Sequence, residues 1–255
     1  SDLMSPPVVY VLSEDLKSGD APRRQQAYQL ISSMGTAVLP MLADLIKREE
    51  QMRPRILAAE LIRNSGKPGV DFLKATLTGT SSPVERARIM DVIDSVTTDL
   101  SAELAEAFSD RSDVVQKAAI RLAERLNTPE ALTLLMQCAQ RREDGMVVRA
   151  VNSLGKLRAT AAVGILNRLA SRSDSTEVLT AVCRAMGGIG DPAFVAPLAR
   201  LLTSRRLFLA KKKYHPSIRA AAAMALSQIP GSSSLELMRS LADDPEAPVR
   251  EAARA

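Results

Sequence analysis

The 255-residue chain has no Trp, one His, two Cys and only 3% aromatic residues. Two cysteines cannot staple a chain of this size, so it is not a disulfide scaffold, and a reducing, cytoplasmic compartment is expected. No apolar run approaches the roughly 18 residues of a membrane span, so no membrane partner is expected. His, Cys and acidic residues do not cluster at metal-ligand spacings, so neither metal nor cofactor is expected. Residues 1–17 mix acids with apolar side chains and lack a basic leader, against a signal peptide. What remains, 46% hydrophobic and 25% charged residues, is ordinary for a folded chain and excludes disorder and collagen.

The net charge of +5 is unevenly placed. Between Asp191 and Glu236 lie 44 residues with seven bases (Arg200, Arg205, Arg206, Lys211, Lys212, Lys213, Arg219) and no acid. The other 211 residues carry 27 bases against 29 acids. One segment therefore makes the protein basic.

A repeat runs through the chain. Its anchors are Ile31, Ile62, Ile93, Ala123, Leu154, Met186 and Leu226, separated by 31, 31, 30, 31, 32 and 40 residues. Four before each anchor stand Ala27, Ala58, Ile89, Ala119, Ala150, Val182 and Ala222. Seven before it, Arg24, Arg55, Arg86 and Arg219 share a column, and Arg250 opens an eighth copy. Eleven after it come Leu42, Leu73, Leu104, Leu134, Ile165, Pro197 and Leu237, and fifteen after it Ile46, Leu77, Phe108, Cys138, Leu169, Leu201 and Leu241. Spacings of three, four and seven mark amphipathic helices, so each unit is a pair of them, and no segment alternates as a strand would. Pro22, Pro54, Pro83, Pro216 and Pro248 fall near the first turn of the first helix, Asp113, Asp144 and Asp174 are placed as its N-caps, and Gly35, Gly66 and Gly190 close it.

A lone helix pair cannot bury its apolar stripe, so neighbours must stack into one core. The expected fold is all-α: an α-solenoid of antiparallel helix pairs over residues 1–255, with about seven full repeats and a half repeat at either end. Val8, Val9, Leu12 and Leu16 read as a lone second helix, and residues 244–255 as a lone first helix. Ends in mid-repeat are expected of a piece of a longer array or of an array capped by a partner.

The stretch from His215 to Pro230, HPSIRAAAAMALSQIP, resembles the short HEAT-repeat family, in particular its class related to the phycobilisome-lyase repeats. The resemblance covers essentially the whole chain. It implies the solenoid fold and little about function, since that family includes scaffolds, adaptors, lyase subunits and a DNA glycosylase branch.

Candidate chemistry is sparse. His215 precedes Pro216 at a helix start and reads as a turn or cap residue. Cys138 and Cys183 fall in core columns as buried thiols. Gly187, Gly188 and Gly190 form a helix ending, not a phosphate loop. A glycosylase would need exposed rings for base stacking, and only Phe208 and Tyr214 are placed to supply them. No enzyme is expected.

Two features depart from a plain array. Residues 204–215, SRRLFLAKKKYH, form a basic insertion between the sixth and seventh full repeats, carrying Arg205, Arg206, Lys211, Lys212 and Lys213 beside Leu207, Phe208 and Leu209. Insertions in repeats map to loops, and loops carry function; the plainer reading is a solvated basic loop near a helix C-terminus. Second, Gln137, Arg168 and Arg200 share the column fourteen after the anchor, with Arg141 and Arg172 a turn further on, whereas the N-terminal half carries Glu103, Glu106 and Asp110. In the HEAT family the second helices line a concave face. The expected function is thus a non-catalytic scaffold or adaptor that binds an acidic or amphipathic segment of another protein or subunit through that face and the insertion. The alternative is nucleic-acid binding through the same bases.

Overall fold

In the computed structural model, residues 6–203 and 214–254 are described. They form sixteen α-helices and no strand. The first helices of the repeats are α2 (Ala21–Ser33), α4 (Met52–Asn64), α6 (Pro83–Met90), α8 (Asp113–Leu126), α10 (Asp144–Lys156), α12 (Thr176–Ile189), α14 (Pro216–Ser227) and α16 (Ala247–Arg254). The second helices are α1 (Pro6–Lys17), α3 (Leu39–Arg48), α5 (Lys67–Gly79), α7 (Ser101–Phe108), α9 (Pro129–Cys138), α11 (Val163–Arg172), α13 (Val195–Thr203) and α15 (Ser232–Ser240). The lone second helix at the start and the lone first helix at the end are α1 and α16.

These helices make two compact units, residues 1–126 and 127–255. In the second unit the first helices stack in sequence, α10 on α12, α12 on α14 and α14 on α16, and the second helices follow alongside, α11 beside α13 and α13 beside α15. In the first unit α1 packs on α2, α3 on both α4 and α6, and α6 and α7 on α8. Each unit is an α-solenoid of stacked helix pairs.

The anchor column is the core. Ile31 is 1% exposed and Ile62, Ile93, Ala123, Leu154, Met186 and Leu226 are 0% exposed. In the second helices the register shifts by one in places: Leu135, Leu166 and Leu198 are fully buried, while Leu134 and Leu237 are only half-buried. Phe194 and Phe108 pack inside, and the Tyr28 hydroxyl accepts from Asn64 Nδ2 at 3.1 Å.

Four helix-end expectations need correction. Asp113 and Asp144 are the first residues of α8 and α10 rather than caps, where their charge still suits the helix dipole. Asp174 precedes the true cap of α12, Ser175, whose side chain accepts from Val178 N. The third first helix, expected to run through Ile93, stops at Met90; Ile93–Ser95 forms a separate 3-10 turn after Val92, in a stretch rich in β-branched residues. The glycine column holds and extends: Gly35, Gly66 and Gly190 take φ of 62°, 66° and 74°, and Asn127 and Arg158 occupy the same position, four after the anchor, at 47° and 49°.

Glycines also set the helix spacing in the second unit. A Cβ on Gly155 would lie 2.7 Å from Ala185 Cα, and one on Gly187 2.8 Å from Ala225 Cα. Gly155, Gly187 and Gly188 therefore let α10, α12 and α14 approach closely.

A candidate partner-binding face

The column of arginines near the start of five first helices (Arg24, Arg55, Arg86, Arg219 and Arg250) holds loops in place. Arg24 Nη1 donates to Ser18 O at 2.7 Å, Arg55 Nε to Gln51 O at 3.4 Å, and Arg250 Nη1 to Asp244 O at 2.7 Å. Arg86 pairs with Asp110, and Arg219, which also donates to Leu202 O at 3.3 Å, pairs with Asp244. Arg219 is 1% exposed, so one of the seven bases of the acid-free segment is core rather than surface charge. Asp110 is likewise tied to Arg86 and its Oδ1 accepts from Ser112 N at 2.7 Å, so it is not a free acid of the second-helix face.

The second-helix residues predicted to bind a partner behave differently. In α11, Ile165, Leu166 and Ala170 turn inward and leave Arg168 and Arg172 exposed. In α13, burial of Pro197, Leu198, Leu201 and Leu202 leaves Arg200 exposed. The two helices are neighbours in one unit, so the Arg168–Arg200 column forms a ridge, with exposed Gln137 of α9 in the same column. Among the described residues, Arg168, Arg172 and Arg200 have no carboxylate partner. Arg172 and Arg200 sit in the last turns of their helices, where the helix dipole favours a cation. Arg141 is exposed and Tyr214 half-exposed, and both have interaction partners within the chain. Arg205, Arg206, Phe208, Lys211, Lys212 and Lys213 lie outside the described residues.

Several acids of the first unit are matched by bases of that unit. Lys74 reaches Glu103 at 3.3 Å and Asp99 at 3.5 Å, Arg121 reaches Asp91 at 2.8 Å, and Arg125 reaches Asp94 at 2.8 Å. The units also differ in composition: residues 1–126 hold 16 bases and 18 acids, residues 127–255 hold 18 and 11.

The reactive side chains are occupied or suppressed. His215 caps α14, its Nδ1 accepting from Ser217 N at 3.3 Å. Burial pushes the Cys183 thiol up to about 12, and burial, with Glu143 nearby, raises that of Cys138 against the opposing pull of Arg141. No described helix is long and apolar enough to cross a membrane.

Stacked antiparallel helix pairs at a period near 31 residues define the class as a helical-repeat solenoid. Residues 148–208 match the family model of HEAT repeats, and the same helix pair recurs on both sides of that segment. Among solved structures it is similar to Kap121p bound to Pho4p, at 12% identity and a TM-score of 0.55, over 97% of this chain and 32% of that one. It also aligns with human deoxyhypusine hydroxylase in complex with glycerol (17% identity, TM-score 0.41, 96% of this chain and 93% of that one). An engineered protein aligns at 20% identity and a TM-score of 0.49, over 97% and 77% of the two chains. No curated protein sequence matches the chain. At these identities the Kap121p likeness is one of fold.

Proposed function

We propose that the chain is a non-catalytic protein-binding scaffold that takes an acidic segment of a partner on the second-helix face of residues 127–255. The observation that carries the reading is the ridge of Arg168, Arg172 and Arg200, exposed and without carboxylate partners among the described residues. A guanidinium is weakly hydrated and matches a carboxylate in a two-point contact, so such a ridge favours acidic side chains. The insertion at residues 204–215 adds five bases to the same unit. The suppressed thiols and the capping role of His215 support the absence of catalysis. Protein binding is also the state in which the similarly folded Kap121p is found. The same reading places the chain in the cytoplasm, where unpaired thiols stay reduced.

A fluorescein-labelled Glu-rich peptide tests this by anisotropy. The Arg168→Glu/Arg200→Glu variant should bind about tenfold more weakly at an unchanged melting temperature, a loss of about 1.4 kcal/mol. Equal binding by the variant would remove the ridge from the reading. Duplex and single-stranded DNA serve as competitors: binding at about 50 mM salt that collapses steeply as salt rises would favour phosphate contacts and nucleic acid instead.

A further inference from the structure

The opposite side of the same unit carries an open groove between the first helices α12 and α14. It has a volume of about 420 Å³ and is lined by Thr180 and Arg184 from α12, by Ala220, Ala221 and Met224 from α14, and by Gln228 just beyond it. Its origin lies in the sequence. Gly187 draws α12 against Ala225 of α14, and the alanine run 220–223 on α14 has too little side chain to fill the space outside that contact. Met224 stands in the wall with 53% of its surface exposed, although an apolar side chain of its size gains about 1.5 to 3 kcal/mol when fully buried.

The charge at the rim indicates what fits there. Arg184 lies two residues before its repeat anchor. In the first unit the same position is Arg121, which holds Asp91, two before the preceding anchor, through Nη2 at 2.8 Å and Nε at 3.2 Å. The residues in that column on either side of Arg184 are Asn152 and Met224, neither of which offers a carboxylate. Arg184 is exposed and has no ion pair among the described residues. The fold thus repeats the guanidinium and omits its acid, next to an apolar floor.

We infer that the α12–α14 groove docks an acidic amphipathic helix of a partner protein. Apolar side chains of that helix lie on Ala220, Ala221 and Met224, and a flanking Asp or Glu takes on Arg184 the place that Asp91 takes on Arg121. A helix fits better than an extended strand. Both walls are helices whose backbone groups are bonded internally, so a strand laid on alanine would leave its own N–H and C=O groups unpaired, whereas a helix brings them satisfied. This site is independent of the arginine ridge on the second helices, and together the two would give the scaffold two binding faces.

The test is a display library of amphipathic helices with Leu, Met, Phe or Ala on the apolar face and Glu, Gln or Lys at the flanking positions, selected on the whole chain. Glu-flanked sequences should be enriched. The winning peptide should bind Arg184→Glu and Met224→Glu variants about tenfold more weakly, and selection on Arg184→Glu should shift the flanking positions to Lys. Both positions are exposed, so circular dichroism and melting should match the parent. Arg168→Glu/Arg200→Glu should bind this peptide normally, which keeps the outcome separate from that of the ridge. Failure to enrich acidic sequences, or an enrichment that Arg184→Glu leaves unaltered, would overturn the proposal.

Discussion

Arg219 of α14 donates from Nη2 to Asp244 in the turn ahead of α16, with only 1% and 7% of the two residues exposed. Because Arg219 also donates to Leu202 O at the end of α13, one guanidinium joins the elements on both sides of its repeat. Removing one partner of a buried pair leaves the other charged and desolvated, which typically costs about 3 to 5 kcal/mol. Asp244→Asn should therefore destabilise strongly in urea unfolding, while Arg219→Met/Asp244→Leu should recover most of that loss. A double variant as unstable as the single one would show that the pair contributes more than mutual compensation.

Arg158 takes φ of 49° at the position where Gly35, Gly66 and Gly190 end their helices. A left-handed conformation costs a side-chain-bearing residue about 1 to 2 kcal/mol, partly offset by the greater unfolded-state freedom of glycine. Arg158→Gly should raise stability by about 0.5 to 1 kcal/mol, and Gly190→Ala should lower it by about 1 kcal/mol. Thermal melts of the two variants check opposite signs at one structural position.

Leu135 is fully buried whereas its neighbour Leu134 is half-buried. Leu135→Ala should cost about 2 to 5 kcal/mol, the usual loss for a buried leucine, and Leu134→Ala distinctly less. Equal losses would contradict the register of α9.

Glu49 accepts from Gln51 N at 3.0 Å and lies 3.6 Å from Lys17, and these contacts hold its carboxyl below the usual range, while Glu14 and Glu49 raise Lys17. A depressed carboxyl contributes stability above its unfolded pKa and loses it as pH falls through the folded value; a raised lysine contributes below its unfolded pKa and loses it as pH rises through the folded one. Urea midpoints of the parent and of Glu49→Gln should therefore differ most near neutral pH and converge as pH falls below the depressed folded value, where the carboxyl is protonated in both states. A constant gap across that range would count against the linkage.

Cys183 has its thiol pushed up to about 12 by burial, and Cys138 is raised as well. Thiolate is the nucleophile, so the native protein should resist iodoacetamide at about pH 8 and react at both sites once unfolded. Mass spectrometry of the labelled chain distinguishes the two states.

Much of the fold was legible without coordinates. The anchor column from Ile31 to Leu226 marks the core, and Gly35, Gly66 and Gly190 mark helix ends, because a helix repeats its buried face every three to four residues and its termination needs a left-handed residue. The sequence missed that Asn127 and Arg158 do the work of glycine, since neither residue type announces a positive φ. It also misread Asp113 and Asp144 as caps, because an acid one residue inside a helix satisfies the same dipole as one at the cap. The Arg168 and Arg200 column was visible from spacing alone, whereas the α12–α14 groove was not: a run of alanines reads as packed helix until the neighbouring helix shows which side of it stays uncovered.

The sequence by itself thus determined the class of fold, the repeat and the uneven charge, because these depend on periodicity and composition along one chain. Tertiary structure decided which charges are available. Arg219 and Arg168 are both bases at repeat positions of the sequence, yet one is enclosed by Leu202 and Asp244 and the other is exposed without a carboxylate partner among the described residues, since ion pairing depends on which loops the stacked helices bring within a few ångströms of each other.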